Sequence, residues 1–141
     1  MNSENEEIVR EACRVIWTEG QIERVAEFYA EDFKASYPNA DWGEGLEGVK
    51  ALAKRVRQGM PDARESIDLI ISDGDYVVVE LTICGTHKGS MYGVAPTEKE
   101  LSYRDVTILK LARGKIVEQR GLTDFLSVFI QLGLVEHPIS R

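Results

Sequence analysis

Few side chains in this 141-residue chain combine a chemical handle with a setting that could use it, and most fall within residues 101–134. Asp124 is a lone carboxylate at the point where an alternating strand gives way to an apolar helix. One reading makes it the helix N-cap, because an Asp there accepts from an otherwise orphaned backbone N–H. The other makes it a general acid/base at the polar end of a pocket. The two are not exclusive. Arg120, four residues earlier, either pairs with Asp105 or Asp124 or clamps a substrate carboxylate or enolate oxygen. Tyr103 and Asp105 lie on the neighbouring strand and would face the same space. His87 stands alone in a glycine-rich loop, and Glu80 is the one charge in an otherwise apolar strand.

Several chemistries lack their residues. The two histidines, His87 and His137, have no second ligand at metal-binding spacing. No nucleophile elbow supports a Ser-His-Asp arrangement. The segment 85–97, GTHKGSMYGVAPT, lacks the Gly-Lys-Ser/Thr ending of a phosphate loop. No metal or cofactor is expected.

The elements that must position these side chains follow from apolar periodicity. Ile8, Val9, Ala12, Cys13, Ile16 and Trp17 form one face of a first helix, and residues 22–29 a second, short one. Residues 33–37 read as a strand stopped by Pro38, and 38–48 as a loop carrying Trp42. A third helix runs over 46–60. After Arg64 the period changes from 3.6 to 2. Residues 67–84 form a hairpin about Asp73-Gly74, and 101–123 a second about Arg113-Gly114. Pairing 72 with 75 puts Ile67, Leu69 and Ile71 on one face with Tyr76, Val78, Glu80 and Thr82. Pairing 112 with 115 aligns Tyr103, Asp105, Thr107 and Leu109 with Ile116, Glu118, Arg120, Leu122 and Asp124. A bulge would break that register. The last helix, from Asp124 to Gly133, is apolar nearly all round and is expected to be buried, partly against another subunit. Residues 135–141 read as a tail. Helices first and then antiparallel strands is the α+β pattern, a curved sheet wrapped around helices.

Bulk properties narrow the function classes. The length suits one domain, 1–141, with a core that needs no staple. A net charge of −7 with no Lys/Arg cluster argues against nucleic acid or an anionic membrane as partner. No apolar run reaches the length of a membrane span, and Met1-Asn2-Ser3-Glu4 has no signal-peptide pattern. Cys13 and Cys84 read as buried thiols of a reducing compartment, which makes the cytoplasm the expected location.

Two segments resemble one family. GTHKGSMYGVAPTEKEL is similar to the Gly-Thr-His-x-Gly…Gly-x-x-Pro-Thr-Gly-Lys loop of SnoaL-like polyketide cyclases. GKIVEQRGLTDFLSVFIQLGL is similar to that family's closing Gly-Lys-Ile-Val-Glu-His-Trp…Asp and its Leu-rich helix ending Gln-Leu-Gly. Residues 28–33 and 45–55 also fit. The resemblance implies a cone-shaped α+β fold shared with nuclear transport factor 2 and ketosteroid isomerases, with a curved antiparallel or mixed sheet wrapped around N-terminal helices, usually in a homo-oligomer (dimer or tetramer). It further implies a small-molecule ligand in an internal pocket and a cofactor-free intramolecular aldol condensation. In that chemistry one Asp, matched to Asp124, removes a proton alpha to a carbonyl and returns it to the new alkoxide. Arg120, His87, Tyr103 and Asp105 would line the site.

The departures are as informative. Gln119-Arg120 stands where the family has His-Trp, and Glu98 replaces the Gly of the Pro-Thr-Gly-Lys loop. A cation in place of a flat wall is expected to favour a smaller or anionic substrate. Two further readings stay open: a non-catalytic binding or oligomerisation module, and an epoxide hydrolase-like site built from Asp105, Arg120 and Asp124.

Overall fold

The computed structural model describes residues 3–38 and 40–139; Met1, Asn2, Asn39 and the last two residues of the tail lie outside the described residues. Helix α1, Ser3–Ala12, runs on into a π-helical turn, Cys13–Thr18. Such turns are found mostly at functional positions, and both Cys13 and Trp17 of this one line the cavity described below. The short second helix is a 3-10 stretch, Ile22–Glu27. Strand β1, Tyr29–Ser36, starts earlier than its sequence suggests because Tyr29 and Phe33 both turn into the core. Helix α2, Gly45–Gly59, is followed by β2, Arg64–Asp73, β3, Tyr76–Thr86, β4, Glu100–Ala112, and β5, Lys115–Thr123.

The five strands form one mixed sheet in the order β1-β5-β4-β3-β2, with only the β1–β5 pair parallel. Its inner face packs on the helices through Val9, Ile16, Val49, Val79, Leu109 and Ile116, all nearly or wholly excluded from solvent. The loop 87–99 is tied to the end of α2, where Lys88 and Gly89 both donate to the Gly59 carbonyl at 3.0 Å.

Two bulges decide which polar residues face inward. In the first hairpin Leu69, Ile71, Tyr76, Val78 and Glu80 share the outer face as expected. Between Ile67 and Leu69 the register slips by one residue at Asp68, and Ile67 pairs with Leu81 and Glu65 with Ile83. Ile67 and Glu65 therefore turn inward, and the expectation for Ile67 is reversed. Asp68 stays outside, accepting from Thr82 Oγ1 at 2.5 Å. In the second hairpin Ala112 pairs with Lys115 as expected, but Val117 is extra, so Leu109 pairs with Gln119, Ile108 with Arg120 and Asp105 with Thr123. A one-residue slip moves every later side chain to the other face. Gln119, Gly121 and Thr123 replace Glu118, Arg120 and Leu122 on the inner side.

Helix α3, Phe125–Gln131, is shorter than expected, and only Val128 in it is buried. Val128 joins a small core with Met60, Ala63, Leu101 and Leu132, against which Phe129 packs, while Phe125, Leu126 and Phe129 also line the cavity.

Candidate functional site

Helices and inner sheet face enclose a cavity of about 810 Å³, toward the upper end of the usual range for small-molecule sites. Its walls are largely aromatic. Tyr37 stacks on Trp42 with ring centroids 5.0 Å apart, and Trp17 Nε1 donates to Tyr29 Oη at 2.9 Å. Exposed residues of the lining, Asp41 and Arg55 with Ser90, Tyr92 and Leu126, mark its open side. The loops around Trp42 and Tyr92 thus form part of the rim.

The floor carries a directional hydrogen-bond chain. Gln119 Nε2 donates to Tyr37 Oη at 2.9 Å, Tyr37 meets Thr107 Oγ1 at 2.6 Å, and Thr107 donates to the Arg120 carbonyl at 3.2 Å. Because Thr107 spends its proton on that carbonyl, Tyr37 must be the donor to Thr107. Gly121 makes room for this chain: a Cβ there would lie 2.5 Å from the Val106 carbonyl and 2.9 Å from the Tyr37 ring.

Two carboxyl groups line the same space. Thr123 Oγ1 donates to Asp105 Oδ2 at 2.8 Å, which fixes the side chain, while buried Oδ1 has no partner among the described residues. Burial pushes the Asp105 carboxyl up to about 6, against the opposing effect of the Thr123 bond. Glu65 Oε1 is likewise enclosed and unpartnered. Burial raises Glu65 to about 8; the Cys13 thiol opposes that rise and the Asp105 charge adds to it. Both shifts have one physical origin, an apolar surround that disfavours the charged form. Tyr103, also in the wall, has its phenol held above the ordinary range by burial.

The residues singled out from the sequence therefore separate. Tyr103 and Asp105 line the cavity, whereas Asp124, Arg120 and His87 do not. Asp124 is exposed, and its Oδ1 accepts from the Ser127 N–H at 3.0 Å as the N-cap of α3. Arg120 is exposed on the outer face, so the ground for inferring a smaller or anionic substrate from it is lost. His87 is fully buried inside its own loop, where Nδ1 accepts from the Thr97 N–H at 3.2 Å and lies 2.9 Å from Thr97 Oγ1. That contact ties the two ends of the loop together. Glu80 lies on the outer face, level with Leu69 and Val106. Glu65, Gln119 and Thr123 were missed in the sequence; the warning that a bulge would break the register of the second hairpin was the only signal for Gln119 and Thr123, and Glu65 had none. Among the described residues no group of three His, Cys, Asp or Glu is arranged to hold a metal ion.

Residues 7–132 match the family model described as SnoaL-like polyketide cyclase. The chain belongs to the SnoaL-like polyketide cyclase family. It is 33% identical over 60 residues to nogalonic acid methyl ester cyclase of Streptomyces nogalater, a match covering 43% of this chain and 45% of that protein. It is 36% identical over 59 residues to an aklanonic acid methyl ester cyclase of Streptomyces galilaeus, covering 42% and 41%. Each match spans less than half of the relative's length. A solved structure of a candidate polyketide cyclase from Acidithiobacillus ferrooxidans superposes with a TM-score of 0.87 at 27% identity, over 94% of this chain and 96% of that one. The SnoaL-like fold thus extends over nearly the whole chain. No helix among the described residues is long and apolar enough to cross a membrane.

Proposed function

We propose that this SnoaL-like protein is a cofactor-independent cyclase in which Asp105, rather than Asp124, is the general acid/base of an aldol-type ring closure. The observation that carries the reading is a carboxylate with one oxygen fixed by Thr123 and the other unpartnered, in the wall of a large aromatic cavity. A base poised near 6 is ionised at neutral pH, yet basic enough to take a proton from carbon flanked by carbonyls. Asp105 takes that proton, the enolate carbon attacks a second carbonyl of the same molecule, and the protonated Asp105 returns the proton to the new alkoxide. One carboxyl serves both steps because the proton that leaves is the proton that comes back.

The substrate class follows from the cavity and from the relatives. Aromatic walls and the available volume suit a flat, multi-ring ketone ester, and the matched relatives are named as cyclases of polyketide acid methyl esters. Exposed Arg55 at the rim is placed to meet an ester or carboxylate end left outside the dry interior. The epoxide-hydrolysis alternative needs Arg120 and Asp124 inside the cavity, and neither lines it. A cytoplasmic location fits the free thiols of Cys13 and Cys84.

The test compares Asp105→Asn, Asp124→Asn and the unaltered protein on cyclisation of polyketide-type β-keto esters. Asp105→Asn is expected to lower kcat by about 10²–10⁴-fold. Asp124→Asn should leave kcat near its original value, because Asn still caps a helix. Equal rates for Asp105→Asn and the unaltered protein, or a loss confined to Asp124→Asn, would overturn the assignment.

A further inference from the structure

Removing a proton from carbon places charge on the neighbouring carbonyl oxygen, so a site that uses Asp105 as base needs a donor for that oxygen. Several donors of the cavity are already committed among the described residues, and the Tyr103 hydroxyl, level with Glu65 on the sheet, is one that is not. Tyr37 and Thr107 spend their protons along the floor, Thr123 on Asp105 and Trp17 on Tyr29. The acceptors are in surplus, since Asp105 Oδ1, Gln119 Oε1 and Glu65 Oε1 are all enclosed without partners among the described residues.

Glu65 is the member of that set that can change from acceptor to donor. The Asp68 bulge turns it inward from β2, level with Tyr103 on β4 and two strands and two residues away from Asp105, or roughly 12 Å at the usual strand spacing and rise. Among the described residues no cation pairs with it. Arg64 beside it is engaged by Glu100 at 2.7 Å, and Arg14 is held by Glu11 and Glu19, each at 2.6 Å. Facing the carboxyl are Cys13 from the π-helical turn and the Asp105 charge from β4. Glu65 also lines a smaller recess on its far side, with Arg10, Cys13, Arg14, Thr18 and Ile67. That recess gives the carboxyl a way to exchange its proton with solvent while the main cavity is filled.

We propose that Glu65, as the neutral carboxylic acid, is the hydrogen-bond donor to the substrate's enolate oxygen, from a position two strands away from Asp105 on the same inner sheet face. The proposal rests on the reading of Asp105 as the base. In the first step Asp105 takes the proton of the C–H bond, the bonding pair becomes a C=C bond, and the carbonyl π pair moves onto the oxygen held by the Glu65 O–H. In the second step the enolate oxygen's pair re-forms its C=O bond, the C=C pair forms the new C–C bond, the π pair of the attacked carbonyl moves onto its own oxygen, and that oxygen takes the proton from Asp105. Glu65 keeps its proton throughout. A group raised to about 8 holds its proton at neutral pH, as this role requires.

Two substitutions and one spectroscopic readout test this. Glu65→Leu removes the donor and should lower kcat by about 10²-fold. Glu65→Gln keeps an N–H donor of nearly the same shape, so it should retain most of the rate and lose the descending limb of kcat/KM near pH 8. Infrared difference spectra at pH 7 should show a protonated-carboxyl C=O band that is absent from Glu65→Gln. For a readout without turnover, adding Glu65→Leu to Asp105→Asn should weaken binding of 2-naphthol, a planar enolate mimic, about tenfold. An ionised Glu65 at pH 7, unaltered naphthol binding, or equal inactivity of the Gln and Leu variants would overturn the role of Glu65. Full turnover by Asp105→Asn would instead overturn the base, leaving the infrared band and naphthol binding to decide Glu65 on their own.

Discussion

Replacing Glu65 by Gln should make the protein more stable in alkali, and the size of the gain follows from the cavity. A carboxyl at about 8 in the folded chain and near its ordinary 4.5 in the unfolded chain binds more protons when folded between those two values. Stability is then greatest below about pH 4.5, falls as pH rises toward 8, and levels off above it. At about 1.4 kcal/mol for each pH unit of difference, the ionised Glu65 would cost the fold at most about 5 kcal/mol above pH 8. Water entering through the recess beside Arg10 and Arg14 will reduce that figure, so a gain of about 2–4 kcal/mol for Glu65→Gln at pH 9 is expected. At pH 5 the two proteins should differ by less than about 1 kcal/mol, since Glu65 is still protonated in the folded chain and pH 5 lies only about half a unit above its midpoint in the unfolded chain. The groups facing Glu65 do not reverse the sign: the Cys13 thiol, raised well above its ordinary value by burial, stays neutral, and the Asp105 charge makes ionisation of Glu65 harder still. The assay is urea unfolding at half-unit pH steps from 5 to 9 for both proteins. Parallel stability curves over that range would refute the argument, because they would mean that Glu65 ionises equally easily in the folded and unfolded chains.

Two further outcomes are expected. Thr123→Val deletes the bond that holds Asp105 Oδ2, so the ascending limb of kcat/KM should move to higher pH by up to about one unit while the fold is retained; an unmoved limb would show that Asp105 does not set it. On the outer sheet face Leu69, Val106 and Leu122 lie in one cross-strand row that also holds Glu80 and are 52%, 45% and 66% exposed, with Ile71 and Ile108 in the next. A second copy of the chain is the expected cover for this face, and Leu122→Arg should shift the protein to a monomer in light scattering; an unchanged mass would place any subunit contact elsewhere.

The elements were legible in the sequence because each rests on a local pattern. The helical stripe from Ile8 to Trp17, the Gly74 and Gly114 turns and the alternation of β3 and β4 all appear close to their expected positions. The family was legible from the loop at 85–101 and the segment from Gly114 onward. The inside of the cavity was not, and the reason is arithmetic. Side-chain direction in a strand is a parity, so one unseen residue at Val117 exchanges Gln119 and Thr123 for Arg120 and Leu122, and one at Asp68 brings in Glu65. Asp124 escaped the parity argument altogether, since it had already left the strand to cap α3. Val117 is of a type common in strands and announces no bulge; Asp68 is of a type depleted in strands, a hint too weak to fix a register.

The two bulges also explain how a fold with so apolar an interior can hold two carboxyl groups at all. On a regular strand that keeps Ile70 inward, alternation would turn Ser66 and Asp68 inward and leave Glu65 and Ile67 outside. The slip at Asp68 puts Ile67 inward against Leu81 while Leu69 and Ile71 lie on the outer face, so Glu65 enters the cavity and Asp68 stays out of it. The slip at Val117 does the same service for Asp105: it supplies Thr123 opposite, as the hydroxyl that orients one carboxylate oxygen, and removes Leu122, which could not. Each carboxyl is thus held by a local irregularity of its own strand or its neighbour, and neither depends on a cation. An arrangement that stabilised the ionised forms with arginines would have been easier to fold at neutral pH, but it would have lowered both groups toward ordinary carboxylate values. It would then have removed the property on which proton transfer between carbon and oxygen depends, a base strong enough to take the proton and an acid weak enough to keep its own.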